Sequence, residues 1–233
     1  MNAGLQKRAT YSMEVMTTKL FTEIEKEVIA RFGEQGKVQL QEGIEHFGYK
    51  DAEDIAAKAV MEGDLHALYE YIPKGHSAKN KYEGLTPFAL FAKLFAQLAK
   101  AVVDTYGEEG VQAIREGVWV FGEKRGYGIA LRARANGQEN TVEHYLPNYD
   151  MERSELFSID QEYLSNGFRQ TYTVCPLGQQ WADDGMKTYG HLYCSVIDKA
   201  IAHGYNDQFE VEQDHWLPTD GFCHFLYQMK DTE

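Results

Sequence analysis

Positive charge is the scarcest resource of this 233-residue chain: 23 lysines and arginines face 36 aspartates and glutamates, for a formal net charge of −13. That balance argues against a nucleic-acid backbone or an anionic membrane surface as partner, since both repel an acidic protein. No Lys/Arg-rich run reverses it locally. Long apolar runs are also missing. No stretch approaches the ~20 residues that a membrane-crossing helix needs, and "MNAGLQKRATYSMEVMTTKL" lacks the apolar centre of a secretion signal. The expectation is a soluble, cytoplasmic protein. Phosphate-cradling loops are absent as well, because no strand precedes Gly33, Gly36, Gly107 or Gly110 and no Lys-Ser/Thr follows them. Cysteine is rare, and Cys175, Cys194 and Cys223 all fall in the last third. An odd number leaves one thiol unpaired in a monomer, and a reducing compartment disfavours disulfides altogether. The ordinary fate of such a thiol is a small buried hydrophobe.

What the chain does have is a core-forming composition, 43% hydrophobic and 13% aromatic, enough to fold rather than stay disordered. It also repeats itself. Residues 17–73 align with 91–147 without a gap at an offset of 74, and nineteen of the 57 positions are identical. "FGEQGKVQLQEGIEHFG" meets "YGEEGVQAIREGVWVFG", and Tyr71 and Pro73 meet Tyr145 and Pro147. Each copy reads as three helices, over 14–32, 34–47 and 51–62 and then over 86–106, 108–121 and 125–136. A Gly-Glu turn parts the first two, and Gly63 or Gly137 closes the third. The expected organisation is an N-terminal helical copy (1–73), a polar Gly- and Pro-containing linker (74–90), and a second copy continuing into a C-terminal α+β region (91–233). A duplicated unit also fits a former homodimer contact made internal, and a homo-oligomer remains compatible with it.

After residue 147 the texture changes. "GFRQTYTVCPL" reads as a strand ending at Pro176, residues 187–203 as an amphipathic helix stopped by Gly204, and "DQFEVEQDHWL" and "GFCHFLYQM" as two strands joined by "PTDG". The fold class expected is α+β: a duplicated three-helix unit followed by a small antiparallel sheet with a packed helix.

The reactive side chains gather in this unduplicated third. His191, Cys194 and Asp198 are three and four apart, which on one helix places them on one face. If the last strand packs on that helix, Cys223 can share a pocket with Cys194. In a nucleophilic reading Cys194 is the thiolate, His191 its base or ion-pair partner, and Asp198 the orienting group; His215 or His224 is an alternative base from another element. A metal reading takes Cys194, Glu212, His215 and Cys223 as a tetrahedral zinc set on the spacing E-x-x-H-x7-C, although no C-x-x-C supports it. The plain alternative is a core thiol. Trp181, Tyr193, Tyr205 and Trp216 read as core or pocket lining.

"TVCPLGQQWADDG", "YCSVIDKAIAHGYN" and "LPTDGFCHFLY", with the upstream "LAKAVVDTYGEEGVQAIREGVWVFGEKRGYGIALR", resemble the L-2-amino-thiazoline-4-carboxylic acid hydrolase family over roughly residues 88–230. The resemblance implies opening of a small cyclic C–N/C–S ring by water, turning an aminothiazoline carboxylate into a carbamoyl-cysteine. The positions matching its motifs are Cys175, Trp181, Cys194, Asp198, Gly204, Tyr205, Gly221, Cys223 and Phe225. The expectation is thus a hydrolase of a small cyclic amidine or amide, with Cys194, Cys223, Asp198, His191 and His215 as the catalytic set. Cys175, Trp181, Tyr193 and Tyr205 are the substrate-binding set, and zinc is the candidate cofactor. The extra N-terminal copy departs from the family and leaves the substrate open. Gly221, Cys223 and Phe225 are also similar to the last strand of vinyl-reductase-type ligand-sensing domains. That similarity implies the rival class, a small-molecule-binding module, in some cases with a structural zinc.

Overall fold

The structure is a computed structural model and describes residues 10–63, 67–151 and 155–230; the first nine residues of the N-terminal segment read above lie outside it. Helix α1 (Met13–Phe47) begins where the Ser12 hydroxyl accepts the Val15 N–H at 3.2 Å, a side-chain cap that satisfies one of the orphan donors of a helix start. Within α1 the backbone turns at Gly33, with φ 58° and ψ −141°. Helix α2 (Tyr49–Met61) follows Gly48. Helix α3 (Pro87–Tyr106) starts at a Thr86 cap with proline in its first turn, and Gly107 joins it to α4 (Glu108–Ala135). Gly107 has φ 58° and ψ −131°, almost the backbone of Gly33, its equivalent 74 residues earlier.

Positions equated by that offset also meet each other reciprocally. Phe32 stacks on its counterpart Tyr106 with ring centroids 3.7 Å apart and planes 1° from parallel. A Cβ at Gly43 would lie 2.9 Å from the Leu98 Cα, and one at Gly117 would lie 2.7 Å from the Ile24 Cα. Gly117 is the counterpart of Gly43, and Leu98 that of Ile24. Two-way contact of this kind is the pattern of an isologous, two-fold interface. The copies differ at the next junction. Gly48 breaks the first copy, with φ 125°, whereas its counterpart Gly122 lies inside an unbroken α4, so no separate third helix begins at 125. The reason is tertiary: a Cβ at Gly122 would sit 2.6 Å from the Ala200 Cβ. The glycine therefore serves close docking against a later helix instead of a turn.

Past a short helix α5 (Val142–Tyr145), the C-terminal third builds strands β1 (Ser158–Tyr163) and β2 (Gly167–Val174) and helices α6 (Pro176–Asp183), α7 (Lys187–Cys194) and α8 (Ile197–Tyr205). Strand β3 (Phe209–His215), helix α9 (Leu217–Asp220) and strand β4 (Cys223–Met229) complete it. The sheet is antiparallel in the order β1-β2-β4-β3, so the chain is an α+β protein. Strand β1 carries little sequence signal, because "SIDQEY" is mostly polar and mostly exposed. The single helix expected over 187–203 is two. Val196 leaves helical geometry with φ −121°, and the Ser195 hydroxyl donates back to the His191 carbonyl at 2.7 Å, a local bond that competes with the helix ladder.

The register pairs Phe168 with Tyr227, Gln170 with Phe225 and Tyr172 with Cys223 on the inner face of the sheet. Phe168 and Tyr227 stack at 4.5 Å. Burial of an apolar side chain of this size contributes roughly 1.5–3 kcal/mol. Helix α8 packs on both α4 and β3, and residues of α3, α4, α7 and α8 face this inner side of the sheet across a shared space. Among the described residues no helix is long and apolar enough to cross a membrane.

Candidate functional site

Between the inner sheet face and those helices lies a cavity of about 510 Å³. The sheet contributes Gln170, Tyr172, Cys223, Phe225 and Tyr227; the α7–α8 corner contributes Tyr193, Cys194 and Asp198; and α4 contributes Arg125. Cys175, at the end of β2, completes the convergence of all three thiols on one space. Phe88 and Phe91 of α3 and Met13 and Met16 of α1 form an apolar wall.

The thiols sit in different local fields. Cys175 caps α6, its sulfur accepting the Gly178 N–H at 3.5 Å. Cys223 accepts the Leu217 N–H at 3.2 Å. Cys194 ends α7, where helix carbonyls disfavour an anion. Burial pushes all three thiols up: Cys223 to about 12, Cys194 well above the usual thiol range, and Cys175 upward although the Gly178 and Leu177 amides oppose the rise. At neutral pH the cavity therefore holds thiols rather than thiolates.

Asp198 stands in the first turn of α8 and accepts the Tyr227 hydroxyl at 3.0 Å. It keeps part of its surface accessible, yet the protein packed around it raises its carboxyl above the usual carboxylate range, against the pull of the Tyr227 hydrogen bond and the Arg125 charge. Arg125 is buried and gripped bidentately by Asp150, Nε to Oδ2 at 2.9 Å and Nη2 to Oδ1 at 2.8 Å. Its guanidinium lies over the rings of Phe121 and Tyr149. The Asp150 carbonyl in turn accepts the Tyr11 N–H at 2.9 Å, and Tyr11 bridges to Met151. The start of the N-terminal copy is thus tied to the residue that holds Arg125.

Of the residues singled out by sequence, Cys175, Tyr193, Cys194, Asp198 and Cys223 line the cavity. Trp181 does not; it is fully buried and its indole N–H donates to the Ala92 carbonyl at 2.8 Å, fixing α6 to α3. Tyr205 is core too, its hydroxyl bonded to the Thr141 carbonyl at 2.8 Å. His191 is exposed on α7 and rests on Trp216, with centroids 4.6 Å apart. Among the described residues no histidine lines the cavity, so neither His191 nor His215 meets Cys194 as a base. The zinc set is not assembled either. Glu212 pairs with Leu226 and His215 with His224, which puts both on the sheet face opposite Cys223. Arg125, Asp150, Tyr172 and Tyr227 escaped the sequence reading. A signal for Arg125 existed: the offset of 74 equates it with Asp51, a charge reversal between copies. Asp51 is buried and anchors the linker through the Lys81 and Tyr82 amides.

A half-desolvated carboxyl, a fixed guanidinium and several protonated thiols and phenols around an apolar-walled space suit a small anionic ligand and proton transfer to or from it. Comparison with curated proteins and with solved structures gives no match. Residues 87–227 match the family described as L-2-amino-thiazoline-4-carboxylic acid hydrolase, a span that contains Arg125, Asp198, Tyr227 and all three thiols, and the chain belongs to that hydrolase family.

Proposed function

We propose that the chain hydrolyses a small cyclic amidine bearing a carboxylate, of the 2-aminothiazoline-4-carboxylate type, inside this cavity. The observation that carries the reading is the convergence of Asp198, Arg125 and the three thiols on one space within the family-matched span. Arg125, the one cationic side chain among the described residues lining the cavity, holds the substrate carboxylate while Asp150 keeps its fork oriented. Ionised Asp198 takes a proton from water as the water oxygen bonds to C2 of the ring. The C2–S bond then breaks, Asp198 returns that proton to the departing sulfur, and the second water proton ends on the ring nitrogen. The product is a carbamoyl-cysteine, and Asp198 is ready for another cycle. Tyr227 steadies the ionised carboxylate, and the apolar wall of Phe88, Phe91 and Met16 limits the water present to what the reaction consumes.

This assignment moves the chemistry from the expected Cys194 thiolate to Asp198. Burial keeps the thiols protonated, and a general base needs no thiolate. A second reading has one specific support, the backbone amides at the start of α6 that face Cys175. There the Cys175 sulfur bonds to C2 as its proton passes to the departing ring sulfur and the C2–S ring bond breaks. Water then adds to C2, returning one proton to the Cys175 sulfur as that C2–S bond breaks and leaving the other on the ring nitrogen of the carbamoyl product. Turnover of 2-aminothiazoline-4-carboxylate followed by mass spectrometry separates them. Asp198→Asn loses activity and Cys175→Ala keeps it on the first reading. Loss in Cys175→Ala, with a trapped substrate–protein adduct in the parent, establishes the second. Ligand binding without turnover in the parent would make the cavity a sensor site.

A further inference from the structure

We propose that the bulged end of the β3–β4 hairpin binds a divalent transition-metal ion of the zinc, nickel and copper class through Asp214, His215 and His224. This site is separate from the cavity and does not depend on the hydrolase reading.

The backbone brings these ligands together. His215 and His224 are direct cross-strand partners, and the register slips between Gln213 and His215, leaving Asp214 as the extra residue of a bulge. A bulge sets two consecutive residues opposite one on the partner strand and re-aims their side chains. Here it turns Asp214 toward both imidazoles: the His215 Nδ1 lies 2.9 Å and the His224 Nδ1 2.7 Å from the same Asp214 Oδ1. Among the described residues this is the group of three histidine, cysteine or carboxylate side chains whose ligand atoms all fall within 4.8 Å of one another. The His215 ring is held by stacking on Phe222, with centroids 4.5 Å apart and planes 23° from parallel. Two rings at the surface could each turn to water, yet both point their Nδ1 at one carboxylate oxygen.

The donor set selects the ion. Two imidazoles and one carboxylate suit zinc, nickel and copper, whose bonds to such ligands are about 2.0–2.2 Å. A single carboxylate is too little for calcium or magnesium, which take oxygen ligands. Cys223, on the other face of the strand, supplies no sulfur. The ion would displace the two hydrogen bonds to Asp214 and leave its remaining positions to water. It would clamp β3 to β4 at the end where the Leu217 amide holds Cys223.

The test titrates the full chain with nickel chloride while recording the histidine ring proton resonances, with magnesium chloride as control. One nickel per chain is expected, with the His215 and His224 signals broadened at sub-stoichiometric metal and those of His46, His191 and His203 unaffected. His224→Ala and His215→Ala each remove the saturating event, and Asp214→Asn weakens it at least about tenfold, while circular dichroism stays that of the parent. Uniform broadening of all histidines, or the parent's stoichiometry and affinity in His224→Ala, overturns the proposal.

Discussion

Tyr227 reaches from the middle of the last strand to Asp198 on α8 and donates its hydroxyl at 3.0 Å. The contact ties the last strand to the helix that begins after the Ser195–Val196 break. It also sets two opposing influences on one carboxyl, since packing raises Asp198 and the Tyr227 hydrogen bond lowers it. Tyr227→Phe removes the lowering influence. The acid limb of the pH profile of kcat/KM should then move to higher pH, and an unmoved limb would show that Asp198 is not the titrating group.

Asp198 also makes a stability prediction of defined sign. A carboxyl raised on folding binds its proton more tightly when folded, so its stabilising contribution is fully present below the unfolded pKa of about 3.9 and is lost as pH rises through the folded value. Asp198→Asn, with no charge to desolvate, should therefore melt above the parent at pH 7–8. The gap should narrow as the pH falls toward 4. Thermal scans across that range check it, and a constant gap would contradict the raised carboxyl.

The Arg125–Asp150 pair is almost fully enclosed, with side chains 7% and 2% exposed. Asp150→Ala leaves a buried, unpaired guanidinium and should cost about 3–5 kcal/mol of unfolding free energy, a penalty the double variant Arg125→Met/Asp150→Leu largely removes. Urea denaturation of both variants measures it. Equal losses would mean that the charge is not what is being left uncompensated.

Met13 and Met16 line the cavity from α1, outside the family-matched span. The N-terminal copy thereby forms part of the pocket wall. Met16→Ala should cost about 2–5 kcal/mol through the space it opens and should favour substrates with added alkyl groups on the ring. The observable is the ratio of kcat/KM for a 5,5-dimethyl substrate to that for the parent compound, which rises if α1 shapes the pocket.

The raised thiols predict slow chemistry at neutral pH. Alkylation by iodoacetamide should be sluggish at pH 7 and climb steadily to pH 10, without the low-pH plateau of an activated thiolate. A thiol that reacts at full rate by pH 7 would favour the Cys175 nucleophile.

Much of this architecture was readable from local pattern. The glycines at 33 and 107 marked helix junctions because they adopt a positive φ that glycine alone tolerates easily. The alternation in "CHFLYQM" separates Cys223 and Phe225 from His224, and Cys223 lines the same cavity as Cys194. What stayed hidden depends on tertiary context. The break at Ser195–Val196 has no glycine or proline to announce it, so the sequence pattern alone runs Asp198 into the helix of Cys194. The bulge at Asp214 leaves His215 on the outer sheet face, a choice invisible without the partner strand. Arg125 and Asp150 lie 25 residues apart in different elements, and only the fold makes them a pair.

In the proposed reaction Asp198 activates water against a cyclic amidine in this cavity. Turnover of 2-aminothiazoline-4-carboxylate in ¹⁸O-labelled water measures it most directly. The parent should place one labelled oxygen in the carbamoyl group of the product, and Asp198→Asn should slow that incorporation by about 10²–10⁴-fold. Incorporation at the parental rate in Asp198→Asn would contradict it.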